Sequence, residues 1–79
     1  MNKPYAVKKH VSTAGKKAAE AMNEAQQAVG MLTAASITNA DAKANNALSK
    51  EADFYLEDAE RILTEALESL RKARKTLNG

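Results

Sequence analysis

The chain predicts an all-α fold, an antiparallel two-helix hairpin with helices over about 4–35 and 39–77. Three observations carry that prediction. Leu56, Leu63, Leu70 and Leu77 repeat every seven residues, and Ala52, Ala59, Ala66 and Ala73 interleave with them at the same period. The composition, with one proline, three glycines and many alanines, glutamates and lysines, favours helix over sheet or disorder. At about 100° per residue the alanines form one row, with the leucines about 60° to one side and Leu48, Tyr55 and Ile62 about 60° to the other. Small side chains flanked by larger ones let a second backbone approach closely.

The first helix is marked by alternating three- and four-residue steps through Val7, Val11, Ala14, Ala18, Ala21, Ala25, Ala28, Leu32 and Ala35, with Met22 and Val29 widening the stripe. Pro4 fits a start there, because first-turn amides lack intrahelical acceptors. Ser12 and Thr13 offer caps for a later start, and Gly15 and Gly30 each weaken the helix by about 1 kcal/mol relative to alanine. Ser36, Ile37, Thr38 and Asn39 are poor helix formers in succession, so the helix should stop near Ser36. Thr38 followed by Asp41 resembles a capping box that restarts the chain.

From Ala40 the apolar spacing runs through Ala44, Leu48 and Ala52 to Leu77, which predicts one continuous second helix with a soft spot at Asn45, Asn46 and Ser49. A short connection makes the two helices antiparallel neighbours. With the turn centred near Ile37, residue i of the first helix should face residue 74 minus i of the second. That register sets Lys9 opposite Glu65, and Lys16 and Lys17 beside Asp58 and Glu57.

The apolar band of the second helix, from Tyr55 and Ile62 to Leu67, spans about 160°, more than one antiparallel neighbour covers. A chain of 79 residues also buries a small fraction of its surface. Both point to self-association of one 1–79 domain into a dimeric four-helix bundle of coiled-coil type, using Tyr55, Leu56, Ile62, Leu63, Leu70 and Leu77.

The same residues exclude whole classes of chemistry. There is no cysteine and one histidine, His10, so no Cys/His dyad can form, and no enzyme, metal site or cofactor is expected. Glu57, Asp58, Glu60, Glu65 and Glu68 lack the Glu-x-x-His pairs of dimetal bundles and read as a solvated face. Lys3, Lys8 and Lys9 interrupt the N-terminal apolar residues, which argues against a secretory leader. The weakly polar run from Ala28 to Ile37 is too short to cross a bilayer, so a cytoplasmic setting without membrane contact is expected.

Two surfaces remain as binding candidates. Arg71, Lys72, Arg74 and Lys75 complement the helix dipole at the C-terminus and, with Lys3, Lys8 and Lys9 at the same open end, form a candidate phosphate-contacting patch for nucleic acid. Residues 1–20 with 55–79 carry net +4, against −2 for 21–54. Phe54 projects about 160° from the alanine row, beside Glu51, Glu57, Asp58 and Arg61, and an aromatic there marks a candidate contact for a protein partner with a basic rim. The resulting expectation is a small protein-binding module, an inhibitor or adaptor of the sort phages and other mobile genetic elements encode. Alternatives are a nucleic-acid-binding regulator and a structural or chaperone-like hairpin.

Overall fold

The computed structural model describes residues 3–37 and 42–79. They form two helices, α1 (Lys3–Ile37) and α2 (Ala42–Asn78), packed along their length into a rod of 61 × 13 × 12 Å. The Thr38–Asp41 cap lies outside the described residues.

α1 begins at Lys3 with Pro4 in its first turn, and Ser12 and Thr13 do not cap it. Thr13 Oγ1 donates to the Lys9 carbonyl at 3.0 Å, Thr33 Oγ1 to that of Val29 at 2.7 Å, and Ser36 Oγ to that of Thr33 at 2.9 Å. Back-bonding of this kind satisfies the hydroxyls inside the helix. α2 is continuous across Asn45 and Asn46, although the Asn45 Oδ1 is enclosed without a hydrogen-bond partner among the described residues. At the C-terminus Gly79 N donates to the Lys75 carbonyl and Asn78 Nδ2 to that of Arg74, each at 2.9 Å.

The seam is made of alanine. Ala14, Ala21 and Ala28 on α1 and Ala52, Ala59, Ala66 and Ala73 on α2 are 1–6% exposed, and Ile62 is the one larger buried side chain among the described residues. Ala21 packs with Ala59 and Ala14 lies with Ala66, and because both sets repeat every seven residues the same offset sets 28 opposite 52. Ala21, Ala59 and Ile62 pack as one cluster. Leu56, Leu63, Leu70 and Leu77, 60° away, stay 42–57% exposed.

The register differs from the sequence expectation by about one heptad. Lys17, not Lys9, meets Glu65, at 2.8 Å. α1 continues to Ile37 and α2 begins at Ala42, so the midpoint between the helix ends lies beyond Ile37. The observed offset sets alanine against alanine, whereas the expected one sets Ala14, Ala21 and Ala28 against Glu60, Asp53 and Asn46. Close backbone approach requires the former.

Candidate functional site

The hairpin presents two unlike long faces. On one, Lys17 Nζ donates to Glu65 Oε1 at 2.8 Å, and Arg61 donates to Glu65 Oε2 at 3.1 Å and to Asp58 Oδ1 at 2.6 Å. These ties bridge α1 to α2 and brace successive turns of α2. The hydrogen bond from Lys17 holds the Glu65 carboxyl below its ordinary range, and Glu65 in turn raises Lys17. Glu24 is pushed upward, first by desolvation and then by the facing Asp58 carboxylate. The charged face therefore contains one favourable cross-helix pair and one repulsive one.

The opposite face is apolar. Val11, Gly15 and Ala18 from α1 and Leu63, Leu67 and Leu70 from α2 line a groove of about 310 Å³ floored by Ala14 and Ala66. Leu56 and Leu32 extend it toward the turn. Of the residues expected to self-associate, Leu56, Leu63, Leu70 and Leu77 are available on the surface. Ile62 is instead enclosed by the hairpin itself, and Tyr55 is half-buried. Both lie on the other flank of the alanine row, which α1 covers.

Phe54 is 65% exposed, with its ring edge-on to Tyr55 at 6.1 Å between centroids. It opens a shallow bay on α2 with Glu57, Asp58, Glu60, Arg61 and Thr64. Glu51 is exposed about one turn before it. Asp58 is half-buried and committed to Arg61, while Glu51, Asp53, Glu57 and Glu60 form no ion pair among the described residues. The bay has an apolar platform and an acidic rim.

At the open end of the rod, Arg71, Lys72, Arg74 and Lys75 project from the last turns of α2, and Lys3, Lys8 and Lys9 from the first turns of α1, all exposed. The sequence reading missed a groove along α1, in which Lys8, Lys9 and Lys16 lie with Tyr5, Ser12 and Thr13. Spacings of three and four residues from Tyr5 carry that signal. Among the described residues no group of three His, Asp or Glu side chains is placed to hold a metal, and no helix is long and apolar enough to cross a membrane.

Comparison of the chain with protein-family profiles, curated proteins and solved structures finds no match.

Proposed function

We propose that this chain is a small non-enzymatic protein-binding module, an inhibitor or adaptor in the cytoplasm, that self-associates through its leucine face into a four-helix bundle and engages a protein partner with the outward face of α2. One observation carries the partner surface: Phe54, 65% exposed, stands among carboxylates that, among the described residues, form no ion pair except at Asp58. A large ring in such a place is an anchor of the kind that dominates interfaces, and its acidic rim complements a basic one. Phe54 lies nine residues, half a turn of rotation, from Leu63, so the two surfaces do not compete.

The test is capture of proteins from a lysate of the source organism on immobilised wild type, Phe54→Ala and a Glu51→Lys, Glu57→Lys variant. Support is a basic protein retained by the wild type and lost by both variants. Identical capture by all three contradicts the reading.

A second reading, a nucleic-acid-binding regulator, is favoured by the Tyr5, Lys8, Lys9 and Lys16 groove, which couples a stackable ring to three cations at the basic end.

A further inference from the structure

The leucine face carries its own instructions for how a second copy seats. We propose that two hairpins pair face to face with their turns at opposite ends, each helix antiparallel to its own counterpart, about a twofold axis at the level of Ala18 and Leu63. This rests on the self-association proposed above and adds its alignment.

The first support is charge along the rod. By the observed register the open half, residues 1–20 and 60–79, carries ten Lys and Arg against four Asp and Glu, net +6, while 21–59 carries two against six, net −4. Turns at the same end would stack like upon like. Turns at opposite ends bring each basic half onto an acidic one.

The second support is the heptad columns bordering the groove. On α2 one column reads Asp53, Glu60, Leu67, Arg74. Reversing it about the midpoint of 60 and 67 places Arg74 beside Asp53 of the partner subunit, twice by symmetry, and Leu67 beside the stem of Glu60. The leucine column reverses about Leu63, with Leu56 meeting Leu70. On α1 the bordering column reads Lys8, Gly15, Met22, Val29, and reversing it about the midpoint of 15 and 22 places Gly15 opposite Met22 of the partner subunit. Nothing lies within 4 Å of where a Gly15 Cβ would stand, and Met22 is 66% exposed, so the open space and the projecting side chain match. The Lys17–Glu65 pair sets the two midpoints at one height in the rod, and the alanine seam sets them within two residues, about 3 Å. A single axis therefore satisfies both helices.

The envelope of the face, 61 by 13 Å, sets a ceiling of about 800 Å² per partner, the scale of a standard stable interface.

The chain has no native cysteine, so disulfide trapping reads the alignment directly. Asp53→Cys with Arg74→Cys in one chain should oxidise to a covalent dimer, while each single variant should not. Within one helix the two positions are about 31 Å apart, too far to bond. Leu63→Cys, self-opposed across the axis, should trap a dimer alone. Sedimentation of the same variants under reducing conditions separates the failures. A dimer that neither combination traps overturns the alignment and leaves self-association standing, whereas a reduced and wild-type monomer overturns both.

Discussion

Lys17 Nζ lies 2.8 Å from Glu65 Oε1, and this contact ties α1 to α2 at one offset. Within two residues of that offset Ala14, Ala21 and Ala28 stack against Ala66, Ala59 and Ala52, and the leucines turn outward to one side and the ion pairs to the other. Register, seam and the two unlike faces are one decision.

The charged face makes opposite pH predictions for two glutamates. The Glu65 carboxyl is held down by Lys17, so its contribution is present above the ordinary glutamate pKa and lost as acid titrates it through its lower folded value. Glu65→Gln should lower Tm at pH 7, with the difference from wild type shrinking as acid protonates Glu65. Glu24 is raised, so its ionisation above the ordinary value costs stability. Glu24→Gln should raise Tm at pH 7 and cease to differ once wild-type Glu24 is protonated. Thermal melts of both variants across pH 3–8 check the two signs.

Glycine substitutions separate a covered face from a bare one. Gly30 is exposed with open space around its Cβ position, so Gly30→Ala should stabilise by about 0.5–1 kcal/mol. Gly15 is equally open within the hairpin, and on a bare rod Gly15→Leu would stabilise as well. With Met22 of a second copy seated there, Gly15→Leu instead weakens the dimer, read as a greater concentration dependence of Tm.

The periodic parts of this fold were legible from the residues alone. The alanine row, its two flanks, the continuous α2 and the outward Phe54 follow from heptad spacing and from 100° per residue. The register was not, because it hangs on where α1 stops. Ser36 and Ile37 look like terminators, yet the Ser36 hydroxyl bonds back to the Thr33 carbonyl and α1 runs to Ile37. Ala14, Ala21 and Ala28 held the missing signal, but they sit in a nine-position stripe that offers Val11, Ala18, Ala25 and Leu32 as an equally regular seam. The match in residue size across the seam decides between them.

If the basic end contacts phosphates, changing Arg71, Lys72, Arg74 and Lys75 to glutamine removes most of the binding. Duplex or RNA affinity of the wild type should then fall at least tenfold between 50 and 200 mM salt. Fluorescence anisotropy against salt measures it, with circular dichroism to show the helices intact. No retention at low salt removes the nucleic-acid reading.

Phe54→Ala should cost under about 1 kcal/mol of stability, well short of the roughly 3–5 kcal/mol of a core phenylalanine, because the ring lies on the surface of α2. Partner affinity should drop by more than about tenfold if the ring is the anchor. Melting and binding on the same variant read both effects.

Self-association through the leucine face is the central claim, and the hairpin's own core of alanines and Ile62 is the reason for it. Sedimentation equilibrium over a range of micromolar concentrations, on wild type and on Leu63→Asp, tests it most directly. The wild type should sediment at twice the 8.5 kDa chain mass. Leu63→Asp, which places a charge in the interface, should dissociate and lose helicity together. A wild type that stays folded and monomeric across that range contradicts the claim.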